Sequence, residues 1–291
     1  MLESCRKCVL DKSLVHYPED APQDQIDEYR KAVYDIVRDF PDEDSAPELA
    51  WHIKQIRKKV FHLSPADFTE IKNHYNLLLM SLEEKLEASV REVGDPLFCA
   101  MQYAMTGNYI DYAALESVEE AKLLELLDKA GSIQLDKEAY AHFRESVRHG
   151  GKVAYITDNC GEIVLDKLLI REMLRMNPDL RVTVLVRGSS EGNDATMEDA
   201  VQVGLPAVCH VMGNGAPLDA TVLRYISEEA RKLLYKADFV MAKGQANYES
   251  LFGCGLHVYY LFMCKCSFFT TRFQVPRFSG ILTEEGLDGY L

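Results

Sequence analysis

From Gly150 onward the chain alternates short apolar runs with helical segments, and few folds satisfy that pattern. KVAYITD (152–158), RVTVLVRG (181–188), AVCHVMG (207–213), DFVMAKG (238–244) and VYYLFMC (258–264) read as strands. Each is separated from the next by enough chain for a crossover, and EIVLDKLLIREMLRM and SEEARKLLYKA show helical spacing. This alternation predicts an α/β fold: a three-layer α/β/α sandwich with a mainly parallel sheet covered on both faces. The first 145 or so residues read instead as helices, with apolar spacing over 24–40, 46–61, 68–90 and 118–130. Pro22, Pro41, Pro65 and Pro96 mark junctions there, and Ser45 and Ser64 are expected N-caps. The expected division is an all-helical N-terminal domain over 1–148 and the α/β/α domain over 149–291.

The sequence has 291 residues, enough for an ample core. A net charge of -14 argues against a nucleic-acid partner, because no basic face can be assembled cheaply from it. No apolar run has the length of a membrane span, and MLESCRKCVLDKS lacks an apolar signal core. No membrane partner and a cytoplasmic location are therefore expected, with the eight cysteines as thiols or metal ligands rather than disulfides.

In a parallel α/β sheet, ligands bind beyond the carboxyl ends of the strands. Asp158, Asn159 and Glu162 follow the first run; Arg187, Asn193, Asp194 and Thr196 follow the second; GNG (213–215) follows the third. Lys243, Gln245, Asn247 and Glu249 follow the fourth, and Lys265 the fifth. Asp158, Asn159 and Asp194 are hard oxygen donors suited to a divalent ion such as magnesium or manganese. Such an ion suits phosphoryl hydrolysis, with Lys243 and Arg187 available to neutralise phosphate charge. Glu162, in the first turn of a helix, would repel an anion and reads as a supporting group or a proton acceptor. Each piece has a plainer reading: Asp158-Asn159 and Asn193-Asp194 also make good helix caps, Lys243-Gly244 a surface turn, and Asn247 a cap for YESLF. Their coincidence at several strand ends favours a site. No GxxxxGK[ST] loop, GxGxxG fingerprint or GxSxG elbow is present. The first strand ends in Asp158-Asn159-Cys160 rather than DxDx[TV], so Asp158 reads as a ligand and not as a phosphorylated nucleophile.

DNCGE (158–162), RGSSEGNDAT (187–196) and KGQANYESL (243–251), with GNYID (107–111), resemble the signature blocks of the damage-control phosphatases. That family was long catalogued as domain of unknown function eighty-nine and is related to the human acidic residue methyltransferase 1. The resemblance extends over essentially the whole chain. It implies a helical domain packed on an α/β/α sandwich and a metal-dependent phosphatase acting on small phosphometabolites, such as sugar phosphates or damaged phosphorylated cofactors. It also implies that Asp158, Asn159 and Asp194 hold the metal (manganese, cobalt, nickel or magnesium) with Lys243 near the phosphate. GSSEG after Arg187 departs from the proline and apolar residues that members often carry there.

Asp158, Glu162 and Lys243 are thus the expected catalytic groups. Arg187, Asn193, Asn247 and Lys243 are expected around the phosphate, with Asn108 and Asp111 contributed by the helical domain. Two other functions remain open at this stage: a carboxyl methyltransferase using S-adenosylmethionine, disfavoured by the lack of a glycine-rich first loop, and a non-catalytic metal-dependent phosphometabolite sensor. CRKC (5–8) resembles the CxxC of one family branch; with Cys264 and Cys266 it would supply four thiolates for zinc, or else its cysteines line a core or hinge. Cys160 reads as packing, and His210 and His257 as core groups.

Overall fold

The computed structural model describes residues 1–112, 117–188 and 192–286. The Ser189–Glu191 part of the departure after Arg187 lies outside the described residues. The N-terminal half forms α1 (Glu3–Ser13), α2 (Gln23–Asp39), α3 (Ala46–Val60), α4 (Thr69–Arg91), α5 (Pro96–Gly107), α6 (Glu120–Asp128) and α7 (Lys137–His149). The alternating half runs β1 (Lys152–Ile156), α8 (Glu162–Met176), β2 (Arg181–Val186), α9 (Met197–Gln202), β3 (His210–Gly213), α10 (Glu228–Lys236). It continues with β4 (Phe239–Lys243), α11 (Gln245–Leu251), β5 (Val258–Met263), α12 (Ser267–Phe273) and β6 (Gly280–Glu285).

The strands form one sheet in the order β3-β2-β1-β4-β5-β6. The first five are mutually parallel, and β6 pairs antiparallel with β5. β6, GILTEE, goes beyond the five strands expected. Strand parity shows why the sheet needs cover on both sides. Val153, Tyr155, Val184, Phe239, Met241 and Tyr259 face a core shared with α4, α5, α7 and α8. Ala154, Ile156, Leu185, Val240, Tyr260 and Phe262 face a second core with α10, α11 and α12. The three-layer α/β/α sandwich is therefore present.

The buried core runs across the 148/149 boundary: α4–α7 form part of one covering layer of the sheet. Only α1–α3 enclose a core of their own, around Tyr29, Val33, Leu49, Ile53 and Phe61. That lobe is fastened to the loop before α10 by Arg224, which pairs with Asp44 and Glu48, by Lys54–Asp219 at 3.1 Å, and by Trp51 against Tyr225. Arg6 of CRKC donates to Val37 O and Phe40 O, closing the carboxyl end of α2.

Two caps differ from expectation. Ser45 occupies the N-cap of α3, but its hydroxyl is buried without a hydrogen bond. Ser64 is not a cap, because α4 begins only after Phe68. Among the described residues no helix is long and apolar enough to cross a membrane.

Candidate active site

The sheet order reverses around β1: its crossover leads to β2 on one side, while β4 lies on the other. The turns after β1 and β4 therefore flank the switch point, the place where open α/β sheets bind ligands. Asp158 stands there on the turn after β1. Gly244, just after β4, has φ +84°, and a Cβ at that position would lie 2.0 Å from Asp158 Oδ2. The glycine is required because the carboxylate occupies that space.

The turn after β1 is zipped to the one carrying Asp194. Cys160 N donates to Asn193 O and Ala195 N to Asp158 O, each at 2.8 Å, and Asn159 bridges Asp194. Gly161 opens α8 with φ +67°; a Cβ there would meet Ile110 Cδ1 at 2.8 Å and Tyr75 Cβ at 2.9 Å. Glu162 turns back on this loop, and its Oε2 accepts from Asn159 Nδ2 at 3.0 Å and from Asn159 N at 3.3 Å.

The switch point is rich in buried negative charge. Burial, then the charges of Asp194, Glu162 and Asp111, push the Asp158 carboxyl well above its ordinary range, with Lys265 opposing them. Burial raises Asp194 to about 6, despite Arg187 beside it. Arg187 Nε donates to Asp194 Oδ2 at 2.5 Å, and Nη1 to Thr221 Oγ1 at 2.8 Å and Asn247 Oδ1 at 3.0 Å. Arg187 Nη2 lies 3.6 Å from Asp158 Oδ1 and is buried without a hydrogen bond.

The expected residues converge here, but their surroundings divide them. Asn108 donates to Asp158 Oδ2 at 2.8 Å and accepts from Met263 N at 3.0 Å, so it ties α5 to β5 and orients the carboxylate. Asn193 donates to Ile110 O and Asn159 Oδ1 and accepts from Tyr112 N. Asn247 accepts from Arg187 and Thr221 N and donates to Lys243 O, which makes it a brace for the guanidinium. Asn159 donates to Asp158, while its own oxygen meets Asn193.

Lys243 is fully buried beneath the turn. Its ammonium donates to Glu162 Oε1 at 2.5 Å, Asp166 Oδ1 at 2.8 Å and Ala104 O at 2.9 Å, which uses all three donors. Its companion Asp166 also accepts from Tyr155 Oη at 2.7 Å and is raised by burial to about 6. The geometry thus gives Lys243 carboxylates where the sequence reading gave it a phosphate. A different lysine faces the aspartates: Lys265 pairs with Asp111 at 2.5 Å and its charge is felt at Asp158.

Sequence reasoning saw Lys265 at a strand end and gave it no role. Asp166 was missed because DKLL reads as ordinary helix. Its signal was the spacing, four residues after Glu162, which puts both carboxylates on one helix face. Thr221 gave no signal.

The structure brings CRKC near Cys266: Cys5 feels the charge of Cys266, and Cys266 that of Cys8. Among the described residues no three His, Cys, Asp or Glu side chains are grouped to hold a metal, and all eight cysteines are free thiols. Burial raises Cys5 and Cys264 to about 11, and the neighbouring Cys266 adds to the shift of each.

A family model described as the damage-control phosphatase ARMT1-like domain matches residues 1–279. The chain belongs to that family. A damage-control phosphatase from Archaeoglobus fulgidus is 28% identical over 268 residues, covering 90% of this chain and 91% of that protein. One from Pyrococcus horikoshii is 32% identical over 182 residues, covering 61% of each. The crystal structure of a DUF89 family protein from Pyrococcus horikoshii superposes with a TM-score of 0.77 at 21% identity, covering 98% of both chains. At that identity the likeness bears on the fold, which the ARMT1-like family member described here shares from end to end.

One group named at the β4 end belongs elsewhere in this family member. Glu249 on α11 is half-buried, is raised by burial to about 7 from an ordinary 4.5, and its charge is felt at Cys5 and Cys266. A raised folded pKa means that the fold prefers the protonated carboxyl. The cost of its charge is absent below pH 4.5 and complete above about 7. Glu249→Gln is therefore expected to stabilise the protein at pH 8 by about 1–3 kcal/mol, with no gain at pH 4.5. Urea unfolding at both pH values checks this; an equal effect at both would rule out the buried charge as its cause.

Proposed function

We propose that this protein is a metal-dependent phosphatase acting on a small phosphate monoester, such as a sugar phosphate or a damaged phosphometabolite. The observation that carries the reading is the pair of buried carboxylates, Asp158 and Asp194, which meet at two strand ends with Arg187 between them. Charges of one sign gathered out of water need a cation, and Arg187 with Lys265 leaves one of the three charges of Asp158, Asp194 and Asp111 without a counter-charge. A hard divalent ion (manganese, cobalt, nickel or magnesium) suits that oxygen-donor set. Asp158 and Asp194 would hold it, with Asn159 beside them as the third proposed donor. Bound there, such an ion would supply Lewis-acid chemistry to a phosphoryl oxygen and would lower the pKa of water.

The remaining roles follow from the contacts. Nη2 of Arg187, which makes no hydrogen bond and lies 3.6 Å from Asp158 Oδ1, and the ammonium of Lys265 are the donors proposed for phosphoryl oxygens. Asp111 holds Lys265, Asn108 orients Asp158, and Asn247 with Thr221 fixes the guanidinium plane. Glu162 and Lys243 hold the turn from below. The names of the Archaeoglobus and Pyrococcus relatives support the same reaction class.

Chelation is expected to abolish phosphate release from sugar phosphates, phosphopantetheine derivatives and nucleotides, and manganese, cobalt, nickel or magnesium to restore it. Undiminished turnover by protein shown by elemental analysis to be metal-free would refute metal dependence. Metal binding without phosphate release from any substrate would favour the sensor, and methyl transfer from S-adenosylmethionine the methyltransferase.

A further inference from the structure

Asn76 lies in the middle of α4, is wholly buried, and uses both ends of its amide. Its Oδ1 accepts from Gly161 N at 2.6 Å. Its Nδ2 donates to Asp199 Oδ1 at 2.8 Å and to Gln202 Oε1 at 2.7 Å. Gly161 belongs to the turn that carries Asp158. Asp199 is the third residue of α9, whose capping box starts from Thr196, two residues after Asp194. Asp199 Oδ2 accepts from Thr196 N at 2.8 Å and Thr196 Oγ1 at 2.9 Å. One turn earlier on α4, Lys72 pairs with the same oxygen at 2.7 Å. Lys72 and Asn76 are four residues apart and share a helix face. The seat is tight: the backbone carbonyl carbon of Tyr75 comes within 3.3 Å of a Cβ built on Gly161.

We propose that Asn76 is a positioning residue: one amide spans the turn bearing Asp158 and the helix start behind Asp194, and fixes the spacing of the two aspartates. α4 lies outside the motif blocks, yet its side chains set how those blocks meet. A buried amide with both ends engaged resists rotation, and losing it leaves a buried N–H and a buried carboxylate oxygen without this partner. The kinetic part of the test rests on the phosphatase reading; the exchange part does not.

The experiment compares wild type with Asn76→Ala and with the exchanged pair Asn76→Asp/Asp199→Asn. Hydrogen exchange by mass spectrometry, manganese titration and steady-state kinetics on p-nitrophenyl phosphate are read for each. In Asn76→Ala, segments 158–162 and 193–199 are expected to exchange faster together while β1 and β4 stay protected. Manganese affinity should fall by about 10-fold or more, as when a group supporting metal ligands is removed. Turnover should fall more than KM rises. The exchanged pair retains an acceptor for Gly161 N and an amide–carboxylate contact, and should recover both turns in part; Asn76→Asp alone, with two carboxylates face to face, should not.

Unchanged exchange in both segments overturns the assignment. So does a uniform loss of protection across the protein with wild-type manganese affinity and turnover, the mark of a merely structural residue. Should Asn76→Ala not fold, Asn76→Ser carries the same readouts. Should wild type neither bind manganese nor release phosphate, the phosphatase reading fails, and the exchange data alone decide the role of Asn76.

Discussion

Lys243→Met is expected to lower folding stability by about 3–5 kcal/mol, the cost of removing one partner from a buried ionic cluster. The ammonium is enclosed by Glu162 and Asp166, and Asp166 Oδ2 already lacks a hydrogen bond. Without the lysine, Asp166 loses the charge that opposes its burial and keeps only the Tyr155 hydroxyl as a donor, beside a second carboxylate at Glu162. Asp166 already sits raised to about 6 beside Lys243, from an ordinary 3.8. The substitution drives its folded pKa higher still. A raised carboxyl penalises the fold as pH rises through that pKa, so the deficit should be largest at pH 8 and shrink toward pH 5. Lys243→Met/Glu162→Gln/Asp166→Asn should recover much of the loss, because no uncompensated charge remains. Urea unfolding of the three proteins at both pH values measures this. A Lys243→Met protein with wild-type stability and crippled turnover would return Lys243 to the phosphate and defeat the assignment made from its contacts.

Gly244→Ala should reduce turnover by about 100-fold or more, on the scale known for misplacing a reacting group by about 1 Å. The methyl would lie 2.3 Å from Asp158 Cγ as well as against its oxygens, so the carboxylate must leave its place. Backbone strain adds about 1–3 kcal/mol, because φ +84° suits glycine and few other residues. Gly253 separates the two effects: it has the same φ of +84° and nothing within 4 Å of a built Cβ. Gly253→Ala should therefore show strain without loss of turnover. Equal kinetic parameters for the two variants would mean that Asp158 is not where the reaction needs it.

Much of this was legible in the sequence because it depended on position along strands. Polar residues at the ends of parallel runs must share one edge of the sheet, and Asp158, Asp194, Arg187 and Asn247 do meet there. Side-chain direction was harder to read. Lys243 ends a strand, which suggested a ligand contact, yet it shares the parity of Phe239 and Met241, which face α5 and α8. Two-residue periodicity thus carries the signal for where Lys243 points. β6 escapes a reading of the sequence because GILTEE is short and half polar. Ser64 misled because a good capping residue beside a proline does not require a helix to start there. Asn76 could not be found at all: its partners lie 85 and 123 residues away, and a lone asparagine in an amphipathic helix looks like any other.

The division of buried apolar surface bears on how the chain is made. During synthesis α1–α3 emerge first and can bury Tyr29, Leu49 and Phe61 among themselves. α4–α7 follow, but Leu79, Met101, Met105 and Phe143 belong to a core whose members lie on strands as late as β6. That layer therefore leaves the ribosome more than a hundred residues before the surface it covers is complete, an interval in which exposed apolar faces invite wrong partners. The first lobe, docked by Arg224 and Lys54 to the segment before α10, is a finished piece waiting for its socket; the second is half of an interface whose other half has not yet been translated.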